Sequence, residues 1–215
     1  MAIIALDNVT YAYEDGHGRT RTVLRNVSAG FEPGVMTAVV GPSGVGKSTL
    51  LALLGGLDLP DAGRIVYDGR PLTAGGLVAH RRRHVSFVFQ EFNLIDYLNA
   101  IENVALVADR TRARELLDAV GLDAEDMRRG VTKLSGGQRQ RVAIARALAA
   151  GTKVLLADEP TGSLDADNAE AIAALLAENA HEHGMCVIAV THSERFAAHA
   201  DAVMRLNRGH LKRIR

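Results

Sequence analysis

Apolar residues recur at alternate positions over residues 3–9 and 23–31, and this spacing predicts two half-buried strands joined as a hairpin. Glu14-Asp15-Gly16-His17-Gly18 supplies turn chemistry between them. Residues 35–40, 85–89, 154–157 and 186–190 are apolar almost without interruption, the pattern of parallel strands covered on both faces. Helical spacing fills residues 47–54, 112–120, 138–150 and 168–182, so strands alternate with helices of crossover length. The order predicts an α/β fold: a mostly parallel sheet with helices on both faces and an N-terminal antiparallel β subdomain. Between residues 91 and 133 the strand signal gives way to polar helical patterning, which predicts an inserted α-helical subdomain. Residues 202–215 read as a terminal hairpin around Asn207-Arg208-Gly209. The cluster His80-Arg81-Arg82-Arg83-His84 reads as a solvated basic patch before a strand.

At 215 residues and 47% hydrophobic, the chain fits a single domain with a sizeable core. Lys plus Arg and Asp plus Glu each number 25, so a basic excess of the kind that binds nucleic acid is absent. No apolar run approaches the ~18–20 residues that span a bilayer. Met1-Ala2-Ile3-Ile4-Ala5-Leu6-Asp7 lacks the basic start and long apolar stretch of a signal peptide. The lone Cys186 excludes an intrachain disulfide. A cytoplasmic location is the expectation.

Residues Gly41-Pro42-Ser43-Gly44-Val45-Gly46-Lys47-Ser48, followed by Thr49, match the phosphate-binding loop pattern without a mismatch. Glycines let successive N–H groups turn inward as an anion nest, and the following helix points its positive end at the same spot. Lys47 can reach the β- and γ-phosphates, and the Ser48 hydroxyl is suited to ligating Mg²⁺. A nucleoside triphosphate site follows from this loop, set as it is between a buried strand and a helix. The run at 154–157 then ends in Asp158 and Glu159. Asp158 is placed to face the metal, and Glu159 to polarise a water for in-line attack as general base. Leu134-Ser135-Gly136-Gly137-Gln138 opens a second glycine-rich helix start with Ser135 as its cap.

With these motifs in this order, the chain resembles the ATP-binding subunits of ABC transporters along essentially its whole length. The resemblance implies a P-loop NTPase core of ABC type, with ATP and Mg²⁺ as cofactors. It makes Leu134, Ser135, Gly136, Gly137 and Gln138 the signature, which acts on the nucleotide held by a second subunit. Tyr13 resembles the aromatic residue that stacks on adenine, with Tyr11 as the alternative. Gln90 looks like the glutamine that touches Mg²⁺ and senses the membrane subunit. Ser163-Leu164-Asp165 resembles the loop across which two subunits communicate, and His192 the histidine that contacts the γ-phosphate.

Implied partners are a second copy of the chain, joined in an ATP-dependent homodimer, and an integral membrane permease. That places the protein on the inner face of the cell membrane, with no nucleic acid partner. Phe89-Gln90-Glu91-Phe92-Asn93-Leu94-Ile95 and Ile101-Glu102-Asn103-Val104-Ala105-Leu106 resemble the lipoprotein-release and macrolide-export branch. Residues 74–83 and 107–114 look shortened against that branch. A cell-division-type regulatory ATPase and a soluble ABC ATPase acting on nucleic acid are the alternatives.

Overall fold

The computed structural model describes residues 1–14 and 20–215; most of the turn expected at residues 14–18 lies outside the described residues. Strands β1 (Ile4–Glu14) and β2 (Thr20–Phe31) pair antiparallel. Helix α1 (Lys47–Leu54) follows β3 (Met36–Val40). Strands β4 (Ala62–Tyr67) and β5 (Arg70–Pro71) then complete a four-stranded antiparallel sheet ordered β2-β1-β4-β5. The β4–β5 pair was not legible in the sequence. Gly63 adopts φ +78° beside a register shift between Asp7 and Thr10, so alternation is broken where β4 begins.

Helix α2 (Leu77–Arg83) leads into β6 (Val85–Val88). Helices α3 (Ala100–Val104), α4 (Arg110–Ala119) and α5 (Gly136–Ala149) form the helical region, with short 3₁₀ turns between α4 and α5. The remaining elements are β7 (Val154–Asp158), α6 (Ala166–His183), β8 (Cys186–Thr191), α7 (Glu194–His199), β9 (Ala202–Asn207) and β10 (His210–Arg213). The larger sheet runs β10-β9-β3-β8-β7-β6 and is parallel except for the terminal hairpin.

Alternate residues of the central strands feed two separate cores. Leu155, Ala157, Val187 and Ala189 face α5, α6 and α7. Val154, Leu156, Ile188 and Val190 face α1 and the antiparallel sheet. Both faces of each central strand are therefore dry, which is why these strands read as unbroken apolar runs. One face is covered jointly by a helix and a second sheet, where the sequence suggested helices alone.

Helices α4, α5 and α6 each begin two residues earlier than their apolar spacing suggests. Side-chain caps set those starts: Asp109 accepts from Thr111 N and Arg112 N, Ser135 from Gln138 N, and Asp165 from Asn168 N. The expected solvated basic patch at residues 80–84 is a correction. His80 is only 1% exposed, its Nε2 bonds Leu54 O at 2.9 Å, and Tyr67 packs against both His80 and His84. The arginines between the two histidines divide the cluster, Arg82 and Arg83 facing solvent while Arg81 donates to Gly56 O. On α2 and its C-terminal cap the two histidines stand four residues apart and so share one face.

Candidate functional site

The carboxyl ends of four adjacent parallel strands carry the residues singled out above. The phosphate loop leaves β3, His192 leaves β8, Asp158 and Glu159 end β7, and Gln90 lies two residues beyond β6. In such sheets this edge is where ligands bind, because the loops splay apart and helix N-termini point into the gap. Register makes the neighbours explicit: Val40 pairs with Thr191, and Asp158 with Val190.

The loop itself is fixed by close backbone approach. A Cβ on Gly41 would stand 2.4 Å from Leu206 O, and one on Gly46 would stand 2.1 Å from Val23 Cγ1. Gly46 also takes φ +107°, a conformation side-chain-bearing residues avoid. The loop's concavity is lined inside by Lys47, which is 8% exposed and donates from Nζ to Gly41 O (2.9 Å) and Pro42 O (3.3 Å). The ammonium thus lies across the loop, held by carbonyls that an anion's oxygens can replace.

Beyond the loop, the Ser48 hydroxyl faces the Asp158 carboxyl across the cleft. Burial pushes the Asp158 carboxyl above the ordinary carboxylate range; Glu159 adds to this, while the Ser48 hydroxyl and Lys47 oppose it. Glu159 sits at φ +48°, a strained backbone for a carboxylate residue, with its N–H on Val190 O at 3.0 Å. Its Oε2 accepts from His192 N at 3.3 Å and lies 2.9 Å from His192 Nδ1.

A cleft of about 390 Å³ joins these groups. Its walls are Ser43, Gly44, Gly46, Lys47, Ser48 and Thr49 on one side, Gln90, Asp158, Glu159 and His192 on the other, and Tyr13 and Val23 at the rim. Gly41, Pro42 and Val45 shape the loop without lining the cleft. Tyr13 is 41% exposed, whereas Tyr11 packs on the core between α1 and the antiparallel sheet and donates its hydroxyl to Asp58 at 2.5 Å. That bond and burial raise the Tyr11 phenol to about 12. A register shift between Tyr11 and Ala12 separates the two environments.

Leu134, Ser135, Gly136, Gly137 and Gln138 are not among the described residues that line this cleft. They form a capping box: Gln138 N donates to Ser135 Oγ (3.2 Å) and Ser135 N to Gln138 Oε1 (2.8 Å). Gln138 Nε2 donates onward to Asp126. Ser135 is exposed. Gly137 faces the Ser163–Leu164 turn, since a Cβ there would meet Leu164 Cδ2 at 3.2 Å and Ser163 O at 3.3 Å. Asp165 caps α6.

Residues that sequence reasoning left without a role hold the loop after Gln90. Phe92 and Asn93 are both left-handed, at φ +59° and +49°. Arg146 donates to Asn93 O (2.7 Å) and Phe92 O (3.1 Å), and Arg139 stacks on the Phe92 ring at 5.2 Å. The arginines were visible in the sequence as a run along α5, but nothing local linked them to a loop some fifty residues earlier.

Mg²⁺ suits the oxygen donors assembled here. Ser48 and Asp158 both line the cleft, and burial makes a nearby cation favourable for the carboxylate. No cluster of three His, Cys, Asp or Glu capable of holding a metal occurs among the described residues. Gln90 adds a third oxygen donor at the cleft, and phosphate oxygens and water would supply the rest of the shell, the usual condition of Mg²⁺ at triphosphate sites.

A phosphate loop, an acidic strand end and a sandwiched parallel sheet define a P-loop nucleotide-hydrolysing cassette. The family model described as "ABC transporter" matches residues 24–162. The chain is 38% identical over 218 residues to the uncharacterized ABC transporter ATP-binding protein YclH of Bacillus subtilis, covering 97% of this chain and 95% of that one. It is 40% identical over 221 residues to the macrolide export ATP-binding/permease protein MacB of Escherichia coli. That match takes in 97% of this chain but only 34% of MacB. The dimeric bacterial ABC transporter cassette MJ0796 superposes with a TM-score of 0.91 at 38% identity, over 99% of both chains. A post-hydrolysis MJ0796 dimer bound to ADP and Pi gives 0.91 at 37%. CbiO1 from Clostridium perfringens, part of the transporter complex cbiONQ, gives 0.85 at 29% over 98% of this chain and 87% of that one.

The chain belongs to the ABC transporter family, as an ATP-binding cassette that hydrolyses ATP with Mg²⁺. No helix among the described residues is long and apolar enough to cross a membrane.

Proposed function

We propose that this chain powers a separate membrane permease by working in pairs, two copies closing head to tail over two ATP molecules. Lys47 holds the β- and γ-phosphates, and Ser48, Asp158 and Gln90 hold Mg²⁺. The metal, when bound, neutralises charge on the phosphate oxygens. Glu159 takes the proton of the attacking water, His192 orients Glu159 and contacts the γ-phosphate, and Tyr13 stacks on adenine.

Ser135 and Gly137 of the second copy complete the site, with Ser163, Leu164 and Asp165 between the two nucleotides. Closure with ATP and opening after hydrolysis is the mechanical output, coupled to export or to force transmission across the membrane. The observation that carries this reading is the separation, within one chain, of an exposed, fully capped Ser135 helix start from the cleft formed around Lys47. Helix N-termini of this kind suit an anion.

Complementation tests the pairing. Lys47→Ala removes the phosphate contact; Ser135→Asp keeps a good helix cap but sets a negative charge against the partner's nucleotide. Each variant alone is expected to lose turnover. Mixed in equal amounts, half the dimers are mixed and each holds one intact site, so about a quarter of full turnover returns. A mixture as inactive as its components would overturn the shared site.

A further inference from the structure

Beside the phosphate loop, and adjoining the nucleotide cleft, lies a second concavity, of about 590 Å³, between the edges of the two sheets. Arg21 and Arg25 of β2 enter it from the antiparallel sheet, and Arg208 and His210 from the terminal hairpin. Arg21 sits directly opposite Tyr13 in the β1–β2 ladder and donates from Nη2 to Gly44 O at 3.1 Å. The Arg25 N–H donates to Gly209 O at 2.8 Å, which ties one sheet edge to the other. Arg208 takes φ +47° at the tip of the hairpin, so its place at the groove is set by the turn.

No carboxylate stands among the described residues that line this groove. Arg205 and Lys212 extend the same positive surface along the hairpin. Because the whole chain is neutral, this is a local concentration of charge. Cations on edge strands do guard against strand pairing. That role asks only for exposure, whereas these arrive from two sheets at one hollow.

The chemistry that fits is phosphate. Guanidinium forks match phosphate oxygens in two-point contacts, and three of them converge here. Among the described lining residues no Phe, Tyr or Trp offers a broad platform for a nucleobase, and His210 supplies the one ring. Val23 and Gly44 line both this groove and the nucleotide cleft, so the two hollows adjoin at these residues while the arginines belong to the groove alone.

We propose that this groove is a second anion site, binding the phosphate groups of a ligand other than the ATP in the cleft. A soluble polyphosphate and a phospholipid headgroup share the required chemistry. The probes are inorganic pyrophosphate, and vesicles of phosphatidylcholine with or without phosphatidic acid. The protein is first saturated with a non-hydrolysable Mg-ATP analogue, so that the phosphate loop is filled. Wild type is compared with Arg25→Gln/Arg208→Asn, in which asparagine tolerates the left-handed backbone.

Calorimetric binding of pyrophosphate, weakened at least tenfold in the variant, supports a soluble ligand. Binding confined to vesicles containing phosphatidic acid, and lost in the variant, supports a headgroup. No binding of either probe, or equal binding by both proteins, overturns the site. Mg-ATP turnover read in parallel is expected to agree within twofold, which keeps failure of this groove separate from failure of the nucleotide cleft.

Discussion

Oε2 of Glu159 receives the backbone N–H of His192 and lies 2.9 Å from its Nδ1, so one carboxylate oxygen is held twice by the residue that follows β8. Glu159 is only 15% exposed while His192 is 75% exposed, which puts the histidine ring on the solvent side of the pair. The strained backbone of Glu159 turns its side chain out of the β7 line toward the cleft.

From this pairing, Glu159→Gln is expected to keep the bond from His192 N, leave ATP binding intact and lower turnover about 10²–10⁴-fold, the range for losing a general base. His192→Ala is expected to lower turnover too, by removing the ring's hold on the carboxylate and leaving only the backbone N–H. Steady-state hydrolysis together with sizing chromatography in Mg-ATP checks both, with Glu159→Gln accumulating as an ATP-bound dimer. Normal turnover by Glu159→Gln would remove the residue from its role.

The two tyrosines of β1 separate cleanly. Tyr13→Ala is expected to weaken ATP binding by roughly 1–3 kcal/mol, the worth of aromatic–base stacking in other systems. Tyr11→Phe loses the bond to Asp58 and is expected to cost about 1 kcal/mol of stability, with ATP affinity unchanged. Nucleotide titrations and urea unfolding of the two variants read these effects independently, and a reversal of the pattern would move the adenine to Tyr11.

His80 makes stability sensitive to acid. Burial lowers its pKa below the ordinary value near 6.5; its bond to Leu54 O opposes this, while His84 and Arg81 push the same way. The fold holds His80 neutral, but the unfolded chain takes up a proton as pH falls through about 6.5. Stability is therefore full above that pH and declines below it, by at most about 1.4 kcal/mol per pH unit from this one group. His80 Nδ1 is buried without a partner, so no local acceptor offsets the charge. His80→Gln keeps a donor for Leu54 O and cannot titrate. Its urea midpoint is expected to fall less than that of wild type between pH 7.5 and 5.5, and an equal fall would place the acid sensitivity elsewhere.

Local chemistry made much of this protein readable in one dimension. The phosphate loop, the acidic end of β7 and the cap at Ser135 each depend on residues within a few positions of one another, so their spacing alone announces them. The buried strands were legible for a related reason: a strand covered on both faces needs apolar residues at every position. Helix starts were read two residues late because an apolar stripe marks where a helix packs, while its cap marks where it begins.

Other features arise only when distant segments meet. Strand order β3-β8-β7-β6 sets His192, Glu159 and Gln90 around Lys47, and no spacing along the chain encodes that order. The register shift after Tyr11 turns one tyrosine to Asp58 and leaves the other at the cleft. Arg146 reaches a loop more than fifty residues away, His80 finds Leu54 and Tyr67, and Arg21, Arg25 and Arg208 converge from two sheets. Sequence determines which groups can do chemistry, because that is a property of single residues and short turns; tertiary packing decides which of them share a space, because proximity is set by the sheet and not by the chain.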